Sequence, residues 1–419
     1  MVAGHGSHDS ILNHTEIREI LEQGLPTRLF HGKKVLVITP DATRTAPLPL
    51  MVRELYHRIG RDVAAMDFMV ALGTHRPLND REIQKLYGIS VHERRGIFAH
   101  ASFLNHRWDR KGELVRVARF SRSEIEELTQ GLLSERVDVD VNRCIFDYDV
   151  LLILGPVFPH EVAGFSGGNK YLFPGISGGD FLHFFHWLGA VLTSCNVIGV
   201  KHNPVRTLIE AAASRVPVPR LCAAMVVNRE NRLHGLWVGE PESAWSEAAD
   251  LSAKVHVIYK SHTYHTVLGR ASTLYDELWT AGKVMYKLEP VVSDGGRLII
   301  YGKGVQTLSH TWGAHIERIG YHVRDYFLSR MEKYRDVPRG VLAHSTHVRG
   351  LGSFTQGVER PRIEVVLATS ISQGLCHRVN LGYMNVDDID IDSFQNREDE
   401  GVLFVDDAGE MLYRLSTDT

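Results

Sequence analysis

Residues 33–47 read KKVLVITPDATRTAP, and the reading of this stretch decides the fold. Val35 to Ile38 is an unbroken apolar run, the pattern of a strand covered on both faces within a parallel sheet. The run breaks at Pro40 and opens into a polar loop that carries Asp41, Thr43 and Arg44. The same grammar recurs twice. Met66 to Leu72 reads as a strand that runs into Gly73-Thr74-His75-Arg76-Pro77, with a helix start at Asn79-Asp80. Val150 to Leu154 is a third buried strand, ending in Gly155-Pro156 and a long glycine-rich loop. Three apolar strands that each deliver a polar loop predict an open α/β sheet with ligands at the carboxyl ends of its strands. Upstream, Ile17, Ile20 and Leu21 share one face of a short helix that Gly24 stops.

Further along, Leu274 to Leu288 has helical character, Arg297 to Tyr301 is a strand after the turn Asp294-Gly295-Gly296, and Ile363 to Ala368 is another strand. The sequence therefore predicts two α/β domains. The first spans residues 1–265 with a mostly parallel Rossmann-like sheet, and the second spans residues 266–395. The tail, GVLFVDDAGEMLYRL, reads as a hairpin turning at Asp407-Ala408-Gly409, and segment 396–419 is expected to pack back on the first domain.

Composition narrows the function classes. The 419 residues are 44% hydrophobic and 23% charged, enough apolar material for more than one core. A formal charge of -3 gives no general attraction to nucleic acid or anionic lipid. No apolar run approaches a membrane span, and MVAGHGSHDS lacks the layout of a signal peptide, so a soluble cytoplasmic protein is expected. Cys144, Cys195, Cys222 and Cys376 lie far apart without a CxxC pair, which argues against a disulfide framework and a thiolate zinc site. The 23 histidines supply the side chain suited to proton transfer and metal ligation near neutral pH.

The most informative stretch is GPVFPHEVAGFSGGNKYLFPGISGGDFLHFFHW, residues 155–187. Its glycines can present backbone N–H groups to a phosphate. The spacing is neither GxxxxGK[ST] nor GxGxxG, which leaves an unusual cofactor loop or a structural turn and disfavours an NAD-dependent dehydrogenase. Three potential reagents punctuate it: His160 before the glycines, Lys170 within them and His186 after them. His183 reads as a core residue hydrogen-bonded to backbone.

DATR, GTHRP and HEVAGFSGGNKYLFPG occur here in the order found in the nickel-dependent lactate racemase family, and the chain resembles that family over most of its length. The resemblance implies a nickel-pincer nucleotide, pyridinium-3-thioamide-5-thiocarboxylic acid mononucleotide, bound covalently to Lys170 in an N-terminal cofactor-binding domain. It implies His186 as the nickel ligand and His75 and His160 as the catalytic acid/base pair. Arg44 would position the substrate, Asp41 and Thr43 would lie near the cofactor, and its phosphate would lie against Ser166, Gly167 and Gly168. The active site would sit in the cleft between the domains, and enzymes of cofactor maturation would be partners. Two features depart from the family. Its Tyr-Gln-Ala-x-Lys signature appears as Trp279-Thr280-Ala281-Gly282-Lys283, so Lys283 is kept while Thr280 replaces the glutamine that helps hold the carboxylate. The tryptophan of the methyl pocket has no evident counterpart, since no Trp follows Trp312. In HSTHVRG, His344, His347 and Arg349 either supply different polar contacts or belong to a surface loop.

What the resemblance implies suits a specific chemistry. A C–H bond beside an ionised carboxylate is a very weak acid, so inversion at C2 of a 2-hydroxy acid is easier if hydrogen leaves as hydride while a base takes the hydroxyl proton. A 2-keto acid results, and hydride returned to its other face inverts the centre. The hydride acceptor must be a cofactor. The expectation is therefore a 2-hydroxyacid racemase or epimerase whose substrate is longer or more polar than lactate. Two readings of other classes stand beside it. One is a zinc-dependent metallohydrolase, for which His344 and His347 have a common ligand spacing although no HxH or HExxH signature occurs. The other is a non-catalytic binding protein of the same fold.

Overall fold

The computed structural model describes residues 2–73 and 75–416, so Thr74 of the Gly73–Pro77 loop lies outside the described residues. The elements run β1 (Ala3–Gly6), α1 (His14–Gly24), β2 (Lys34–Thr39), α2 (Leu48–Ile59), β3 (Ala65–Val70), α3 (Asp80–Tyr87), β4 (Phe103–Asn105) and β5 (Val150–Pro156). They continue with α4 (Gly179–Leu192), α5 (Pro204–Ala213), β6 (Arg220–Val227), β7 (Leu233–Gly239), α6 (Pro241–His256), β8 (Val257–Lys260) and β9 (Tyr264–Ala271). The last are α7 (Leu278–Ala281), α8 (Lys283–Leu288), β10 (Val292–Gly302), α9 (Arg339–Arg349), β11 (Glu364–Thr369), β12 (Gly382–Tyr383), β13 (Val402–Ala408) and β14 (Leu412–Leu415). Several shorter helices and strands lie between them.

The chain divides into two compact units. The first holds a 7-stranded sheet in the order β1-β7-β6-β5-β2-β3-β4. Its five strands from β6 to β4 are parallel, and β7 and β1 close one edge antiparallel. Val35, Val37, Leu152 and Leu154 join the buried cluster of Ile17, Ile20, Leu21, Leu55 and Phe68 on one side of it. From β2 the chain walks out through β3 to β4, then returns to the other side of β2 as β5 and continues to β6. β2 and β5 thus flank a topological switch point, the crevice where open α/β sheets place their ligands. Asn79 caps α3 as expected, with its side chain on the Arg81 and Glu82 amides.

Backbone packing at the end of β5 is tight. A Cβ on Gly155 would meet the Tyr171 ring at 2.4 Å. Gly155→Ala is therefore expected to cost about 2–3 kcal/mol by overpacking, read as a lower midpoint in urea denaturation.

The second unit holds a 5-stranded all-parallel sheet, β12-β11-β10-β9-β13, and β8 pairs with β14. Leu268, Ile299, Val366 and Ala368 form its core cluster, with Phe404 packed against it. Several sequence expectations change here. The tail is not a hairpin and does not return to the first unit: β13 adds in parallel to β9, and β14 adds in parallel to β8. The turn placed at Asp294–Gly296 lies within β10. No single cut falls near residue 265, because the second unit takes residues 159–164 and 183–205 from inside the N-terminal stretch and resumes at His256. Chain order conceals these exchanges. Among the described residues, no helix is long and apolar enough to cross a membrane.

Candidate functional site

In the first unit the loops after β2, β3 and β5 carry the polar groups. Asp41, two residues past β2, is 7% exposed. Its Oδ1 accepts from the Thr43 amide at 3.1 Å and the Thr43 hydroxyl at 2.7 Å. Its Oδ2 pairs with His75 Nδ1 in a short hydrogen bond. Burial alone would raise the Asp41 pKa. The His75 charge and hydrogen bond, the Thr43 hydroxyl and the Arg44 charge outweigh burial and hold the carboxyl well below the usual carboxylate range. An ionised carboxylate accepts only, so it keeps a proton on His75 Nδ1 and leaves Nε2 as the exchanging nitrogen. The His75 side chain is 33% exposed.

The glycine-rich loop after β5 is held from outside its own sequence. Arg206, on α5, directs its guanidinium to the Phe165 carbonyl at 2.5 Å and the Gly167 carbonyl at 3.4 Å. Trp245, on α6, donates from Nε1 to the Ser166 carbonyl at 2.9 Å. The guanidinium lies over the Trp245 ring at 3.8 Å. Three successive carbonyls are thereby drawn into the unit, so their lone pairs do not crowd an anion at the loop. Burial lowers the Arg206 pKa to about 10, with Glu210 opposing the drop. Asn169 is gripped by Glu210 and Arg220 on either side of its amide. Gly167 and Gly168 have φ of 85° and 59°, and a Cβ on Gly168 would meet Trp245 at 2.9 Å. Only glycine satisfies both the left-handed backbone and that approach.

Lys170 is half-buried on the single turn Gly168–Tyr171 that follows. The next residue, Tyr171, is 8% exposed, and its buried hydroxyl has no hydrogen-bond partner. Burial raises its pKa well above the ordinary phenol value, and the charges of Arg44 and Asp41 act on it in opposite senses. An orphaned phenol beside the Asp41 loop, next to a lysine on a glycine cradle, is what a polar ligand at this switch point would satisfy. The Ser166 hydroxyl is already committed, donating to the Pro156 carbonyl and accepting from the Phe158 amide.

In the second unit His160 is 4% exposed and heads a tight turn. Its Nδ1 accepts from the Val162 and Ala163 amides, and Glu161 Oε2 lies 3.4 Å from the same nitrogen. His186 projects from α4, one turn after His183. The HSTHVRG segment is not a surface loop: it ends the buried helix α9, with His344 8% and His347 4% exposed. His344, Ser345, Thr346 and Arg349 find polar partners inside the unit, while the buried His347 Nε2 has none, and these polar residues hide the helix from a hydropathy pattern. The His344 ring lies tilted against Trp279 at 4.2 Å between centroids, and Trp279 lies 6.4 Å from Trp312. Ser345 donates to the Gly320 carbonyl. Burial, together with the charges of His347 and His186, lowers the His344 pKa to about 3. Of the substrate candidates, Lys283 sits over the Tyr275 ring at 4.7 Å, and the Thr280 hydroxyl is spent on the Glu277 carbonyl.

The first unit thus brings together Asp41, Thr43, Arg44 and His75, and holds Ser166, Gly167, Gly168 and Lys170 on its cradle. The second unit carries His160, His186, Trp279, Thr280 and Lys283. Sequence reading missed Tyr171, Arg206, Trp245 and Glu161. Tyr171 and Glu161 adjoin motif residues and were within its reach.

Residues 10–196 match the lactate racemase N-terminal domain family. A lactate racemase of Thermoanaerobacterium thermosaccharolyticum is 24% identical over 295 residues, 68% of this chain and 64% of that protein. A lactate racemase of Lactiplantibacillus plantarum is 24% identical over 279 residues, 65% of this chain and 61% of that protein. The matched region therefore spans less than two thirds of the length of these curated relatives. A crystal structure of a Thermotoga maritima protein superimposes with a TM-score of 0.89 at 32% identity, covering 98% of this chain and 100% of that one. The lactate racemase apoprotein of T. thermosaccharolyticum shares the fold, with a TM-score of 0.69 at 17% identity over 95% of this chain and 92% of that one. Residues 10–196 therefore form a lactate racemase N-terminal domain, and the chain beyond it is similar to lactate racemases.

Proposed function

We propose that the protein is a nickel-pincer-dependent racemase or epimerase that inverts C2 of a 2-hydroxy acid longer or more polar than lactate. The observation that carries this reading is the Asp41–His75 pair at the switch point, in the same unit as Lys170 on its glycine cradle. The residues suit the group: Lys170 would hold it covalently, Gly167 and Gly168 would flank its phosphate, and His186 would ligate nickel. When bound, the group supplies a hydride acceptor at C2.

The chain's own residues supply the rest. Arg44 matches the substrate carboxylate with two parallel N–H bonds, and Lys283 adds a point charge. His75, with Nδ1 tied to Asp41, takes the hydroxyl proton on Nε2 as hydride departs. His160 serves the oxygen of the opposite hand. Thr280 already bonds backbone and so grips the carboxylate less than a glutamine would. No Trp follows Trp312 to line a methyl pocket, and the non-lactate reading rests on these two features. A hydrolytic zinc site needs three convergent protein ligands, and among the described residues no such group of His, Cys, Asp or Glu occurs. The partners in this reading are the small-molecule substrate and the cofactor maturation enzymes, and the site of action is the cytoplasm.

The test is intact mass and metal analysis of protein co-expressed with the nickel-pincer biosynthesis enzymes, followed by a screen of 2-hydroxy acids for loss of optical activity. Added mass on the Lys170 peptide, near-stoichiometric nickel and inversion of a substrate larger than lactate are expected. An unmodified chain that carries zinc and hydrolyses esters or amides would overturn the reading. Within it, Asp41→Asn keeps the shape but removes the charge that fixes the His75 proton. The loaded variant should lose roughly 10²–10⁴-fold in kcat and retain its cofactor, as read by steady-state rates and mass.

A further inference from the structure

The ring of His160 faces back onto its own turn. Val162 N–H donates to Nδ1 at 3.1 Å and Ala163 N–H at 3.3 Å. A nitrogen that accepts two N–H bonds carries no hydrogen, so a neutral ring in this place bears its hydrogen on Nε2. His75 is held the opposite way, with Nδ1 against the acceptor-only carboxylate of Asp41. His106 supplies an internal reference for the His160 arrangement. Its Nδ1 pairs with the Asn142 amide at 3.2 Å, and its Nε2 bonds the Ser177 carbonyl at 2.9 Å.

We propose that the two proton-transfer histidines rest in opposite tautomers, His75 as a proton acceptor and His160 as an Nε2–H donor, and that Glu161 is the carboxylate that positions His160 for transfer. The roles rest on the racemase reading, whereas the tautomers rest on hydrogen-bond geometry alone. A neutral Nε2–H ring can hydrogen-bond a substrate oxygen, but it cannot release that proton without becoming an anion. To protonate an alkoxide, His160 must first be an imidazolium with hydrogen on both nitrogens. The Nε2 proton then passes to the alkoxide oxygen, which becomes a hydroxyl, and a neutral Nδ1–H ring remains. The reverse step takes the hydroxyl proton onto Nε2 of that same Nδ1–H ring. In both senses Nδ1 carries hydrogen, so the Val162 and Ala163 amides must yield. Glu161 Oε2, 3.4 Å from Nδ1, is an acceptor in place for it. Glu161 also acts on His347, which burial keeps neutral near pH 7.

The measurement is a long-range proton–nitrogen correlation spectrum of ¹⁵N-histidine-labelled protein without cofactor at pH 8, where ordinary imidazoles are neutral. His160 is assigned by the signal missing from His160→Gln, and His75 likewise from His75→Gln. His160 is expected to show the Nε2–H pattern shared with His106, and His75 the Nδ1–H pattern. An Nδ1–H pattern for His160 would overturn the proposal. Should His160→Gln fail to fold, neutron diffraction from wild-type crystals reads the same hydrogen directly. Glu161→Gln should lower the pH midpoint of His160 by about one unit, a tenfold loss of proton affinity. An unmoved midpoint removes Glu161 from the role. If the cofactor-loaded wild type inverts no 2-hydroxy acid, the racemase reading fails while the tautomers stand on their own spectrum.

Discussion

Lys170→Ala is expected to abolish both the covalent adduct and turnover while leaving the fold in place. The loop around Lys170 is held by several groups besides its side chain. Arg206 and Trp245 hold the carbonyls of Phe165, Ser166 and Gly167, and Glu210 with Arg220 holds the Asn169 amide. Truncating one half-buried side chain on that frame should cost about 1 kcal/mol or less. Activity is another matter, because the side chain would be the attachment point of the only hydride acceptor. Its loss should remove essentially the whole rate enhancement, at least about 10⁶-fold. Lys170→Arg separates the explanations. Arginine keeps the positive charge on the cradle but not the amine that forms the amide-type link, so this variant should be equally unmodified and equally inactive. Intact mass, optical rotation of substrate and a thermal melt check all three expectations. Activity retained in Lys170→Arg would show that the lysine acts only as a charge.

The parts of the fold that were legible in the sequence are those where local pattern and tertiary role agree. Val35 to Ile38 and Val150 to Leu154 read as buried strands because both faces of a central parallel strand are covered, so no alternation is needed. α1 was readable from Ile17, Ile20 and Leu21, which share one buried face. Misreadings arose where a segment's partner lies far away in the chain. Val402–Ala408 and Leu412–Leu415 look like a hairpin, yet each finds a better partner in a strand more than a hundred residues earlier. α9 was ambiguous because its inward face carries His344, Ser345 and His347, residues that a hydropathy pattern assigns to the surface.

The candidate site divides in the same way. Lys170, Asp41 and His75 stand in motifs, and their loops follow recognisable strands. The clamp on the glycine loop is invisible in sequence: Arg206 and Trp245 sit on helices well downstream, where an arginine and a tryptophan carry no local signal. Glycine at 167 and 168 could be read as conformational need. That Gly168 also makes room for the Trp245 side chain could not.

Acidification should unfold the protein without cofactor well above the pH at which its carboxylates titrate. Burial lowers the pKa of His106, His183 and His347 to about 4 each. In the unfolded chain they return to an ordinary value of about 6.5. Above that pH both states are neutral at these sites and no proton is exchanged. Between about 6.5 and 4 the unfolded state takes up protons that the folded state refuses, so stability falls as pH falls through this window. Each fully buried histidine then contributes a loss of up to about 3 kcal/mol, with less from the half-buried His183. The sum is comparable with the whole stability of an ordinary domain. Glu289 acts in the opposite direction: burial raises its pKa, so its protonation favours the folded state as pH falls. Asp41, held low by His75 once burial is overcome, withdraws its support only below the ordinary carboxylate range, at pH values under this window. Urea midpoints measured from pH 7.5 to 4.5 should therefore fall steeply, with the largest change below pH 6.5. His106→Gln should flatten the curve by one proton's slope, because glutamine does not titrate and its amide can still donate to the Ser177 carbonyl. A midpoint independent of pH across that range would mean that the three histidines are hydrated or charged in the folded protein.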